Sequence, residues 1–170
     1  VLSAIRIGRT LDAERVKVAV TSMTESVLRN PDALLLLSQL RKKGEYNESH
    51  ALDVSIYMIT FGRFLGLEPG QIEFLGYLGL LQDVGKLRLP KELLEKRGRL
   101  SVEEFELAKL HVGHSAEILR ATPGLPGDLP RIAPLHHERQ DGSGYPMNLR
   151  GSEIGPLGSI AAIVDTFDAM

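Results

Sequence analysis

The run His136-His137-Glu138-Arg139-Gln140-Asp141-Gly142-Ser143-Gly144-Tyr145-Pro146 carries the densest chemistry in the chain. Two adjacent imidazoles beside a carboxylate form a donor set for a divalent cation, with neutral ring nitrogen as ligand. Gly142 and Gly144 permit positive φ and close backbone approach to a bound group, and Pro146 sets the exit of the turn. Five further residues could join this set, and each also has a plainer reading. His50 ends an apolar stripe with Val54, Tyr57 and Phe61, so it is either a ligand or a core histidine. Asp83 closes an apolar helix just before Gly85 and Lys86. A buried carboxylate needs a metal or an ion partner, so Asp83 either ligates or pairs with Lys86 as a cap. His111 and His114 lie one helical turn apart, as ligands or as polar surface. Asp165 interrupts an almost wholly apolar run and needs either a cation or a basic partner.

Positioning such scattered residues requires helices, and nearly every periodic segment reads as one. Ala13, Val16, Val20, Met23 and Val27 form a narrow stripe, which fits either a coiled-coil seam that dimerises or signals, or a face packed on its own domain. Asn30-Pro31 starts the next helix, which Arg41-Lys42-Lys43-Gly44 closes with charges that suit its dipole. A helix from about Asn47 to Leu65 carries His50. Glu68-Pro69-Gly70 opens another, with Ile72, Leu75, Leu78 and Leu81 buried, ending at Asp83. Leu89-Pro90 begins a short helix, and Ser101 with Glu104 forms a capping box for the helix bearing His111 and His114. Beyond the Pro/Gly-rich loop 123–130, a helix from about Leu129 delivers His136 and His137. Gly155-Pro156 starts the last helix, Leu157 to Val164, followed by Asp165.

Composition narrows the function classes. The 170 residues are 43% hydrophobic with net charge −2, as for a globular domain and not a disordered tail. That charge gives no footprint for duplex nucleic acid. Cysteine is absent, so any metal must be held by histidine and carboxylate. No apolar run approaches the roughly 20 residues of a membrane span, and no signal peptide is visible. A cytoplasmic location is expected. Residue 1 is valine, so the chain is expected to be a piece of a longer one, with room for an upstream sensor.

The loop 136–146 resembles the signature of the HD-GYP family, bacterial phosphodiesterases acting on cyclic di-GMP. The succession His50, Gln82-Asp83-Val84-Gly85-Lys86, His111, His136-His137 and Asp165 is similar to that family's order over roughly Tyr46 to Met170. The resemblance implies an all-α HD-domain helical bundle over residues 30–170, preceded by an amino-terminal signalling or linker helix within 1–29. It implies one or two divalent ions, iron or manganese. One ion would take His50, Asp83 and Asp165; the other would take His111, His136 and His137, with Asp83 bridging. Lys86 would face the scissile phosphate, and Arg139, Gly144, Tyr145 and Pro146 would contact substrate, with Glu138 in support. His114 matches no family ligand and is read as structural. The implied partner is a cyclic dinucleotide, with a homodimer through the first helix as a further expectation.

The sequence also departs from the family. Where the family's name-giving histidine should stand there is Gln82, a neutral oxygen donor weaker for iron or manganese than imidazole. The expected outcomes are a weakened two-metal enzyme, a one-metal site, or a silent module that binds cyclic di-GMP or a partner protein as an effector. Tyr46 replaces the glutamate of three-metal members, so no third metal is expected. Ser115 replaces a glycine, and the family's basic segment beyond Met170 is missing.

Overall fold

A computed structural model describes residues 11–40 and 46–170, with side chains described for 11–36 and 49–170. The cluster Arg41-Lys42-Lys43-Gly44 and the side chain of Tyr46 lie outside these. Among the described residues the chain is helical, with an isolated bridge between Asp141 and Arg150 in place of any strand. The helices are α1 (Ala13–Arg29), α2 (Pro31–Leu40), α3 (Tyr46–Phe64), α4 (Pro69–Leu81), α5 (Lys91–Leu94), α6 (Val102–Arg120), α7 (Leu129–Ile132) and α8 (Gly155–Asp168). Tighter 3-10 turns cover Val84–Arg88, Ala133–His137 and Gly151–Ile154. No described helix is long and apolar enough to cross a membrane.

Local chemistry explains most boundaries. Asp12 caps α1 by accepting from the Arg15 amide, and Asn30 accepts from the Asp32 amide ahead of α2. Ser101 and Glu104 form the expected reciprocal box at α6. The segment after Leu129 is not one helix. It breaks into α7 and the 3-10 turn Ala133–His137, because Pro134 has no amide hydrogen to continue the ladder. That break throws two consecutive histidines inward.

The core sits between α1, α3, α4, α8 and the turn Ala133–His137. Val16, Val20 and Val27 of α1 are fully buried, Val16 and Val20 in the main core. The stripe that could have made a two-stranded seam is therefore used inside the chain. α3 and α4 pack antiparallel and very close. A Cβ on Gly79 would lie 2.6 Å from the Ser55 Cα, so only glycine fits, and the Ser55 hydroxyl donates to the Gly76 carbonyl at 2.8 Å. This close crossing brings the start of α3, with His50, to the end of α4, with Gln82 and Asp83.

Candidate metal centre

Six side chains from five elements converge. α3 supplies His50, the end of α4 supplies Asp83, α6 supplies His111, the Ala133–His137 turn supplies His136 and His137, and α8 supplies Asp165. They fall into two donor groups whose ligand atoms lie within 4.8 Å of one another: Asp83 with His111, His136 and His137, and His50 with Asp83 and Asp165. Asp83 belongs to both.

Hydrogen bonds fix the histidine tautomers. His111 Nδ1 is 2.6 Å from the Ala108 carbonyl, and His136 Nδ1 is 2.6 Å from the Ala133 carbonyl. A carbonyl only accepts, so each Nδ1 carries the proton, and in the neutral ring Nε2 presents a lone pair. Those two Nε2 atoms face each other at 3.4 Å, and Asp83 Oδ1 lies 3.2 and 3.5 Å from them. With both rings neutral, three electron-pair donors meet here, and a proton or a cation must sit among them. Consistent with that, Asp83 Oδ1 and His137 Nε2 are buried without a hydrogen-bond partner. Burial, then the neighbouring His136 and His111, push the His137 ring well below its ordinary pKa, which keeps it a neutral donor. A divalent cation fits this donor chemistry.

The other group is arranged differently. His50 Nε2 lies 3.2 Å from Asp165 Oδ1 and 3.3 Å from Asp83 Oδ2, while Nδ1 lies 2.6 Å from Asp168 Oδ2. Burial alone would depress this histidine, but Asp165, Asp83 and Asp168 outweigh it and raise the ring to about 10. Burial likewise works against ionising Asp83, yet Lys86, at 2.6 Å, and then the histidines hold it well below the usual carboxylate range. Asp83 and Lys86 thus form the ion pair open from sequence, and the same carboxylate serves the donor cluster. Gln82 is fully buried; its amide Nε2 donates to Asp165 Oδ1 at 2.9 Å, and its Oε1 has no partner.

Two close approaches set this geometry. A Cβ on Gly85 would lie 2.0 Å from the His111 carbonyl oxygen, so glycine lets the Val84–Arg88 turn press on α6. There the Ser115 hydroxyl accepts from the Gly85 amide at 2.8 Å, giving the departure at that position a structural use. Gly142 has the expected positive φ of 79°. Gly144 does not; its role is proximity, since a Cβ there would lie 2.5 Å from the His137 carbonyl oxygen.

A groove of about 840 Å³ opens beside the donors, with His137 in its wall. Arg139, Gly144, Tyr145 and Pro146 line it, as do Phe105 and Lys109 of α6. Tyr145 stacks on His137 with ring centroids 4.7 Å apart, and Lys109 Nζ lies 5.7 Å from the Tyr145 ring centre. His114, read from sequence as structural, also lines the groove and has a buried, unpartnered Nδ1. Lys86 does not line it; its ammonium is directed to Asp83.

Sequence reasoning missed Asp168 and undervalued Glu138. Asp168 lies three residues after Asp165, on the same face of α8, and that spacing was the available signal. Glu138 is 1% exposed and accepts the amides of Met147 at 2.7 Å and Leu149 at 2.9 Å, tying down the Gly-Tyr-Pro loop. Glu138→Ala is expected to remove both charge-assisted hydrogen bonds to the part-buried Met147 and Leu149 amides and to cost about 3 kcal/mol. The melting temperature should then fall by on the order of 10 °C; an unchanged melt would show that the loop is held by something else.

An all-helical scaffold carrying a histidine–aspartate cluster defines a class, and comparison with known proteins gives it a name. A family model described as HD domain matches residues 23–170, and the chain belongs to the HD domain family. A cyclic di-GMP phosphodiesterase of Pseudomonas aeruginosa is 34% identical over 165 residues, covering 97% of this chain and 40% of that protein. A 3'3'-cGAMP-specific phosphodiesterase of Vibrio cholerae is 31% identical over 165 residues, covering 96% of this chain and 31% of its own length. The chain therefore spans well under half of these relatives. Among solved structures, a HDG"Y"P protein from Bdellovibrio bacteriovorus superposes with TM-score 0.79 at 23% identity, over 92% of this chain and 51% of that one. This agrees with the helical fold.

Proposed function

We propose that this chain is the hydrolase domain of a metal-dependent phosphodiesterase that opens cyclic di-GMP. The observation that carries the reading is the pair of donor groups sharing Asp83 beside an open groove with aromatic and cationic walls. The names of the P. aeruginosa and V. cholerae relatives support a cyclic dinucleotide as substrate. Iron or manganese suits a mixed set of imidazole and carboxylate donors.

Cations held there would lower the pKa of water and offset charge on the phosphate. The chain's own residues do the rest. The Ala108 and Ala133 carbonyls hold His111 and His136 in the donor tautomer. Asp83 ties both groups together, and Lys86 places a positive charge beside it. Arg139 and Lys109 offer charge to the dinucleotide's phosphates, and Tyr145 offers a ring edge to its sugar or base. Water attacks phosphorus in line with the departing 3′ oxygen, the P–O3′ bond breaks, and the leaving oxygen takes a proton. The product is the linear dinucleotide.

The test is incubation of metal-loaded protein with cyclic di-GMP, followed by product chromatography before and after chelation. Linear product that disappears with chelator and returns with iron or manganese is the expected result. Gln82 supports a second reading, an effector that binds the dinucleotide without turnover. Tight binding with no product after full metal loading would favour that reading and reject the enzyme.

A further inference from the structure

The two donor groups are chemically unequal, and Gln82 makes them so. In one group, three imidazoles join a single carboxylate. In the other, His50 is the one imidazole beside two carboxylates, Asp83 and Asp165. Gln82 lies against that second group: its Nε2 is 2.9 Å from Asp165 Oδ1, the same oxygen that faces His50 Nε2 at 3.2 Å. A carboxylate only accepts, so the amide nitrogen must face it and the carbonyl must be the other end. That carbonyl oxygen, Oε1, is buried in a residue with no solvent exposure and has no hydrogen-bond partner. Buried amide oxygens are ordinarily satisfied. This one belongs to a side chain whose amide nitrogen touches Asp165, a member of the donor group, and a cation held by that group would give it a partner.

We propose that Gln82 supplies its carbonyl oxygen as a metal donor, turning the His50–Asp83–Asp165 group into an oxygen-rich seat for a hard, exchangeable cation. Mg²⁺ and Mn²⁺ are the ions such a seat takes, because carboxylate and carbonyl oxygens suit them while imidazole suits zinc and iron. The His111–His136–His137 group is nitrogen-rich and retains a borderline ion. The centre is therefore mixed: one ion stays with the protein, and the other comes and goes with the surrounding concentration of free cation. This rests on the metal-site part of the function proposed above and not on turnover. Failure to hydrolyse a dinucleotide would sink that function and leave this inference standing.

The test uses the metals alone. Chelator-stripped protein is given one equivalent of Zn²⁺, passed through a desalting column, then titrated with Mn²⁺ and followed by electron paramagnetic resonance. The expected result is one retained Zn²⁺ and one Mn²⁺, with the bound-Mn²⁺ signal lost on adding millimolar Mg²⁺. In Gln82→His, Mg²⁺ should compete with Mn²⁺ at least about tenfold less well, because an imidazole, a poor donor for Mg²⁺, replaces an oxygen that suits both ions. Gln82→Leu keeps the volume and removes the donor, so it should lose the Mn²⁺ and keep the Zn²⁺. Retained Zn²⁺ in both variants reports that they fold. Equal Mn²⁺ affinity in wild type and Gln82→Leu would overturn the proposal. So would Mg²⁺ competition unchanged by Gln82→His, or two equally tight Zn²⁺ ions in the wild type.

Discussion

Asp83→Asn is expected to empty both halves of the centre at once. The carboxylate lies 3.3 Å from His50 Nε2 through Oδ2 and 3.2 Å from His111 Nε2 through Oδ1, so each oxygen belongs to a different donor group. Asparagine keeps the shape but loses the charge and turns one of those oxygens into an amide nitrogen that cannot ligate. Losing a residue that merely orients a ligand costs about 10–100-fold in metal affinity, so losing a shared ligand should exceed about 100-fold at both positions. The turnover of cyclic di-GMP proposed above should fall by at least about 10³-fold, since charge stabilisation of the phosphate would disappear with the ions. Metal content after gel filtration, measured beside the rate, checks this. A variant that loses one ion and keeps the other at full affinity would show that Asp83 is not shared.

The second large effect is on the pH dependence of the His50 position. In the metal-free protein His50 is raised to about 10, so at neutral pH a proton occupies the nitrogen that a cation would need. A group whose folded pKa is raised stabilises the fold fully below its ordinary value of 6.5, and this contribution is lost as pH rises through about 10. The metal-free protein should therefore lose thermal stability between pH 7 and pH 10. Cation binding has the opposite slope, because the ion must expel that proton. Affinity at this position is expected to rise about tenfold per pH unit, roughly 100-fold from pH 6.5 to 8.5. Titration calorimetry in buffers of different ionisation enthalpy should register about one proton released per ion. An affinity flat across that range would mean that His50 does not ligate through Nε2.

Asp168 shapes the same equilibrium. Its carboxylate, 2.6 Å from His50 Nδ1, keeps a proton on that side of the ring whether or not a cation is present. It thereby orients Nε2 toward Asp83 and Asp165, the carboxylate–histidine arrangement common behind metal-ligating imidazoles.

Much of this centre could be read along the chain because some of its parts are local. His136 and His137 are adjacent to each other and to the Gly-Tyr-Pro turn, so their joint presence needs no tertiary information. Asp83 and Asp165 stand out because each puts a charge at the end of an apolar helix, where burial is costly without a partner. The order of helices follows from periodicity and from caps such as Ser101 with Glu104.

Other features depend on which helix faces which, and a 3.6-residue period specifies an apolar face but not its neighbour. The stripe on α1 served a seam or a core equally well on paper; burial of Val20 against the Gly76 region of α4 decided it. Asp168 has no distinction until α8 lies beside the start of α3. The carbonyls that set the tautomers of His111 and His136 belong to Ala108 and Ala133, whose side chains signal nothing. Gln82 read as a weakened ligand in sequence; only the fold, by turning its amide nitrogen to Asp165, left the carbonyl buried and bare. The chain's chemistry was thus written into residue types and local spacing. How its charges, lone pairs and protons are shared was decided by the contacts between helices distant in sequence.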